Sequence, residues 1–328
     1  MNRRELVTLL GGAAAAWPLL ATAQQSAAPV IGFLQAGTPE SFANRVEAFR
    51  KGLGETGFAE GRNLTIEFRW AYGDNARLPE LAADLVRRKV AVIATPGSGS
   101  GAAQIAQAAT ATIPIVFSIG ADPIELGLVA SLSRPSGNVT GFNDMNSLLG
   151  AKRMGLLREL LPGAKRFASL VNPDAATANT MTADVQNAAA SLGLNLEIVH
   201  ASNNQEIETA FSILMQKQAE ALVVTTDPLF NNRRNQIIAL AAHYRLPAIY
   251  PWREAAEAGG LMFYGSSGTD EYRQVGIYVG RILKGEKPSD LPVMRASKFE
   301  LIINLLAAKL LGIQFPPSLL AIADGVIE

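Results

Sequence analysis

The pattern that most constrains this chain is an alternation that runs through twice: short β-branched or aromatic stretches separated by segments whose apolar residues recur at helical spacing. The first pass places strands near 30–35, 64–70, 90–95, 113–119 and 138–142; the second places them near 167–171, 196–199, 222–226, 247–250 and 261–264. Between the strands, Phe42, Val46, Phe49 and Leu53 share one helical face, as do Leu78, Leu81, Leu85 and Val86, and then Ile105, Ala106 and Ala109. In the second pass Met181, Val185 and Leu192 form one stripe and Ile207, Phe211 and Leu214 another. Strand, helix, strand in this order gives parallel sheets covered by helices. Two passes of similar length predict an α/β protein of two Rossmann-like lobes. A further helix follows (Tyr272, Val275, Val279, Ile282, Leu283), then a Pro-punctuated extended stretch and a helix at about 304–311. This unpaired tail predicts that the chain crosses back between the lobes and builds a hinge of several strands. The resulting division is 29–142 plus about 265–297 for one lobe and 143–264 plus about 298–328 for the other.

Composition narrows the chemistry. Length 328 is about two domains' worth, and 48% hydrophobic against 18% charged residues describes an ordered globular chain. Lys+Arg 29 equals Asp+Glu 29, which leaves no basic field for a polyanion, so nucleic acid is not an expected partner. The chain has no Cys and two His, which excludes thiolate catalysis, disulfides and Cys- or His-rich zinc sites. His200 and His243 read as surface or satisfied residues at no metal spacing, and Arg87, Arg88, Lys89, Arg233 and Arg234 as solvated helix faces. No metal or cofactor is expected.

Residues 1–25 open with Arg3 and Arg4, continue through an apolar middle broken by Gly11 and Gly12, and end on the small-x-small triplet Ala21, Thr22, Ala23. This is the form of a signal peptide over 1–23, with either the general or the twin-arginine export route open to it. A membrane-spanning helix needs a longer unbroken apolar run. No Cys follows for lipid attachment, so the expected location is the periplasm, as a soluble protein and not a lipoprotein.

The sharpest local motif is Gly97-Ser98-Gly99-Ser100-Gly101-Ala102, between a strand and a helix, with Asp122 some 20 residues on. It admits two functional readings. One is a dinucleotide fingerprint, which would make the chain an exported NAD(P)-dependent oxidoreductase; against it, two βα units precede the loop. The other is a carboxylate site on free N–H groups at a helix N-terminus. Asp122-Pro123 and Asp227-Pro228 sit at equivalent strand ends in the two halves. Each Asp either caps the helix that follows or binds an ammonium group. Phe142, Phe230, Tyr250, Trp252 and Tyr264 cluster at strand ends and could wall a slot for a flat apolar group. No nucleophile elbow, Walker loop or metalloprotease motif is present, and no catalytic residue is assigned.

Four blocks then resemble a known family: 57–86 (GFAEGRNLTIEFRWAYGDNARLPELAADLV), 113–141 (IPIVFSIGADPIELGLVASLSRPSGNVTG), 246–265 (LPAIYPWREAAEAGGLMFYG) and 298–328 (KFELIINLLAAKLLGIQFPPSLLAIADGVIE). They look like the ABC-transporter substrate-binding proteins of the tryptophan/aromatic amino-acid type. The resemblance implies a type I periplasmic-binding-protein fold, two lobes joined by three crossovers, closing over a small organic ligand and delivering it to an inner-membrane ABC permease without chemistry, as a monomer. Carried over by position, it implies a cleft lined by Gln35, Ala36, Gly97, Ser98, Ser118, Asp122, Phe142, Asn172, Asp227 and Tyr250. Ser136 stands where many relatives have Gly, and Phe263 where a small residue is common.

Overall fold

The structure is a computed structural model that describes residues 28–97 and 99–328. The leader expected over 1–23 and Ser98 lie outside the described residues.

The first sheet is built from β1 (Val30–Gln35), β2 (Thr65–Trp70), β3 (Val92–Pro96), β4 (Ile115–Ile119) and β5 (Val139–Asn143), connected through α1 (Ala43–Glu55), α2 (Leu78–Arg87) and α3 (Gly99–Ala109). The second sheet repeats the plan with β6 (Arg166–Val171), β7 (Asn195–His200), β8 (Ala221–Val224), β9 (Ala248–Tyr250) and β10 (Met262–Ser266). Its helices are α4 (Gly150–Leu160), α5 (Ala178–Leu192), α6 (Asn204–Gln216), α7 (Pro228–Asn232), α8 (Arg234–His243) and α9 (Arg253–Glu257). Strand order is 2-1-3-4-5 in one lobe and 7-6-8-9-10 in the other. The order therefore reverses between β1 and β3 and again between β6 and β8, and a ligand crevice opens at the carboxyl ends of strands flanking such points.

The rest of the chain returns twice. Helix α10 (Gly268–Leu283) packs on the first lobe, and β11 (Met294–Arg295) pairs in parallel with β5. The chain then crosses to β12 (Phe299–Asn304), α11 (Leu305–Leu311), α12 (Pro317–Ile322) and β13 (Gly325–Ile327). β12 is antiparallel to β10, and β13 forms the edge of the second sheet. Three segments thus join the lobes, and they are bonded side by side: Asn146 Nδ2 donates to Ser266 Oγ at 2.9 Å and the Ala296 N–H to the Asn143 carbonyl at 2.9 Å. Arg153 of α4, 2% exposed, donates from Nε to the Tyr264 carbonyl at 2.8 Å and from Nη1 to the Asn146 carbonyl at 3.0 Å, tying two of the segments together. Burial pulls its guanidinium down to about 10, so it is still charged at neutral pH.

Strands buried on both faces explain the near-continuous apolar runs. Ile31 and Phe33 face α1 and α10, while Leu34 faces α2 and α3 with Leu78, Leu85 and Ala106. The expected faces hold with one correction: Leu192 is 39% exposed, and the buried residue there is Leu194, beyond the helix end at Gly193. Ser136, in place of the family's Gly, has φ +62°, the left-handed turn conformation that Gly adopts without strain. Phe263 is fully buried against Ala256 and Ile302 and lies away from the cleft.

Candidate functional site: the interlobe cleft

A cavity of about 280 Å³ lies between the lobes and is lined from both. The first lobe contributes Gly97 and the start of α3, Ser118 near the end of β4 and Gly120 just past it, Asp144 at the crossover, Arg45 from α1 and Phe42 at its N-cap. The second contributes Asp174 to Thr177 after β6, Thr226, Asp227 and Asn231 after β8, and Trp252 after β9.

The Gly97 turn has φ +58°, and a Cβ there would lie 2.9 Å from the Tyr272 ring. Tyr272 is held by Gln35, whose Nε2 donates to Tyr272 Oη and to the Pro96 carbonyl, both at 2.8 Å. Gln35 Oε1 accepts the Gly37 N–H at 3.2 Å. Gln35 is fully buried and fully engaged, so it supports the turn from behind. Ser118 accepts the Gly97 N–H at 3.2 Å and donates to Glu271. Glu271 and Asp144, the latter at the cleft wall, form a buried carboxyl pair; burial raises both, and the Asp144 charge further disfavours the Glu271 anion, which favours one proton shared between them.

At the mouth, Arg45 of the first lobe meets Glu254 of the second. Its guanidinium lies 5.4 Å from the Phe42 ring centroid. Burial pushes the Glu254 carboxyl up, but Arg45 outweighs it and holds the group at about 2.

Asp227 is 4% exposed and caps α7: its carboxylate accepts the Leu229 N–H at 2.8 Å and the Asn172 amide at 3.1 Å. Burial raises it to about 6. Asn172 in turn accepts the Asp174 N–H at 3.0 Å, so it positions both loops rather than lining the cavity.

Of the residues named from sequence, Gly97, Ser118 and Asp227 come together at the cleft. Ala36 and Phe142 are buried in the core of the first lobe and Tyr250 in that of the second, where burial pushes its phenol up. Asp122 caps its own turn by accepting the Ile124 N–H at 2.8 Å and is not among the lining residues. Of the five aromatics, Trp252 alone reaches the cavity, joined by Phe42; Phe230 is core and Tyr264 stacks on Phe299. Arg45, Asp144, Asn231 and Phe42 went unassigned. Arg234, read as solvated, is half-buried and feels Glu254. The Gly97 loop follows the third strand of its sheet, and the Asp122 carboxylate is engaged in a cap, so neither half of the dinucleotide fingerprint is in place.

Two Rossmann-like lobes, three crossovers and a cavity between the lobes define a type I periplasmic-binding-protein fold. Residues 31–327 match the family described as ABC transporter substrate binding protein, and the chain belongs to that family. Such proteins bind a small-molecule ligand and work with an ABC permease. A "Tyrosine-binding protein" of Clostridioides difficile is 29% identical over 293 residues, covering 87% of this chain and 81% of that one. Among solved structures, an ABC domain from Streptococcus pneumoniae in complex with L-Trp superposes at TM-score 0.83 with 27% identity, covering 91% of this chain and 99% of the other. A ligand-free, open substrate-binding protein from Clostridium difficile, 26% identical with the same two coverages, reaches 0.65. At equal coverage and near-equal identity, that gap is what rotation of intact lobes produces. By TM-score this chain is more similar to the L-Trp complex than to the open structure, and its Arg45–Glu254 contact bridges the cleft.

Proposed function

We propose that this protein captures a free amino acid with an aromatic side chain and hands it to its permease unchanged. The observation that carries the reading is the lining of the cleft: apolar and aromatic groups (Phe42, Leu78, Ile105, Trp252) share a small cavity with the carboxylates of Asp144 and Asp227 and with the start of α3. An ammonium group is stabilised by a buried carboxylate. A ligand carboxylate suits the N–H groups that open an eleven-residue helix such as α3. A volume of about 280 Å³ is close to the lower limit of about 300–1,000 Å³ for small-molecule pockets, which fits a single amino acid and not a peptide. The tyrosine-binding and L-Trp-bound relatives support the same choice.

In this reading Gly97, Ser98 and Ser118 meet the carboxylate end and Asp227 the ammonium, with Gln35, Ala36, Asn172, Phe142 and Tyr250 shaping the walls from behind and Asp122 at their edge. The lobes are 29–142 plus about 265–297 and 143–264 plus about 298–328, a division that sheet membership supports. The protein acts as a periplasmic monomer, exported on its leader. Among the described residues no helix is long and apolar enough to cross a membrane.

The test is a thermal-shift and calorimetric screen of the amino acids, with sugars and purines as controls. Ligand at 100 times its Kd stabilises the folded state by about 2.7 kcal/mol, a readable shift. Stabilisation by tyrosine, tryptophan or phenylalanine is expected; a response to sugars or purines alone overturns the reading.

A further inference from the structure

Asp227 caps the N-terminus of α7 in an extended conformation, Asn231 lies within that short helix, and both residues line the cleft. Asn231 is 2% exposed, yet neither its amide nitrogen nor its amide oxygen has a hydrogen-bond partner. Buried side-chain amides are nearly always bonded. Among the described residues a few other buried polar atoms are also unpartnered, on Thr95, Asn143, Asn232, Arg234 and Gln236, but none of those residues lines the cavity. The main chain of Asn231 is fully used: its N–H donates to the Asp227 carbonyl at 3.0 Å, and its carbonyl accepts from Arg234 Nη1 at 3.0 Å. The amide is thus an unpartnered donor and acceptor pair on a residue that lines the cavity.

Resting on the amino-acid reading above, we propose that Asn231 is the residue that selects an intact α-amino-acid head. Its Oδ1 accepts from the ammonium beside Asp227, and its Nδ2 donates to the ligand carboxylate. A side-chain amide offers both roles a short distance apart, and an α-amino acid presents the matching acceptor and donor on one carbon. An amine without the carboxylate, or an acid without the amine, leaves one end of the amide buried and unmet. Each analogue then binds about tenfold to a hundredfold more weakly on this account alone.

The experiment is titration calorimetry of the wild-type protein, Asn231→Leu and Asn231→Asp against L-tryptophan and L-tyrosine, tryptamine and tyramine, and the deaminated acids of the same two rings. Thermal melts confirm that each variant is folded. Wild type is expected to bind an amino acid and reject its two truncated forms. Asn231→Leu should weaken the amino acid by about tenfold to a hundredfold and narrow its margin over both analogues. Asn231→Asp, which can still accept but not donate, should keep a preference for the ammonium-bearing ligands and discriminate against the deaminated acids more strongly than wild type does. If wild type binds the amino acid and Asn231→Leu matches it in affinity and analogue ranking, the assignment to Asn231 is wrong while the amino-acid reading stands. If wild type binds no amino acid, both fall.

Discussion

Arg45 Nε and Nη2 each lie 2.8 Å from a different carboxylate oxygen of Glu254, and the two residues belong to opposite lobes. Their side chains are 7% and 20% exposed, so this is a largely desolvated, two-point pair. Because the bond spans the cleft, rotation of the lobes apart breaks it, and whatever it contributes is added to the closed state alone. Glu254→Gln leaves a buried guanidinium without its counter-charge, a loss of about 3–5 kcal/mol where such pairs are broken singly. Ligand release from Glu254→Gln should therefore be much faster in stopped-flow experiments, and the ligand-bound protein should show a larger radius of gyration in X-ray scattering. The double variant Arg45→Met/Glu254→Leu should recover part of the effect. Release rates equal to wild type would show that the pair plays no part in closure.

Asp227 makes the cleft sensitive to pH. Burial raises its carboxyl from 3.8 to about 6. Between those values the folded protein holds a proton that the unfolded chain has given up, so this group's contribution to stability is complete below about 3.8 and is lost as pH rises through about 6. The loss is on the order of 3 kcal/mol. Ligand affinity runs the other way, since a carboxyl protonated below about 6 cannot attract an ammonium as an ion. Amino-acid affinity should climb from pH 5 to pH 7, and Asp227→Asn should bind weakly with a flatter profile. An unchanged profile in Asp227→Asn would place the titrating group elsewhere, with Asp144 and Glu271 next in line.

The turn at Gly97 is braced by a residue far away in sequence. A Cβ there would come within 2.9 Å of the Tyr272 ring, and the φ of +58° disfavours any side chain. Tyr272 cannot swing aside freely, because it is fully buried and bonded to Gln35. Gly97→Ala should cost about 1–3 kcal/mol of stability and also weaken ligand binding, because the turn opens α3 at the cleft. Loss of stability with affinity intact would mean that the turn does not contact the ligand.

The fold was legible because buried parallel strands write themselves as apolar runs and their helices as stripes. The strand at 30–35 is observed at Val30–Gln35, and Ile207, Phe211 and Leu214 are buried as a stripe should be. What escaped were short elements whose stability comes from their neighbours: the two residues of β11 and the three of β13, while β12 lies in a stretch that reads as extended but shows no strand bounds. At the cleft, strand-end position predicted Gly97, Ser118 and Asp227 but could not separate a side chain facing the cavity from one facing the core, as with Phe142 and Tyr250. One signal was available and went unread. Arg45 falls on the stripe of Phe42, Val46, Phe49 and Leu53, and Glu271 on that of Tyr272, Val275 and Val279. A charge on an apolar stripe must find a partner when the helix packs, and both of these lead directly to the cleft.

Helix α1 carries a built-in pair of opposite substitutions. At Gly52 an added Cβ would stand 2.0 Å from the Arg273 carbonyl oxygen of α10, a backbone atom that can move away only if the two helices part. The crossing is reinforced from the other side, where a Cβ on Gly276 would lie 2.2 Å from the Phe49 carbonyl. At Gly54, two residues further along the same helix, nothing lies within 4 Å and φ is not positive. Gly52→Ala should therefore destabilise the first lobe by about 1–3 kcal/mol through overpacking, lowering Tm by several degrees. Gly54→Ala should instead stabilise by about 0.5–1 kcal/mol, because alanine restricts the unfolded chain and suits a helix better. Thermal melts of the two single variants check both signs at once. A stable Gly52→Ala would mean that α1 and α10 can separate at little cost, which the burial of Val275 and Val279 between them argues against.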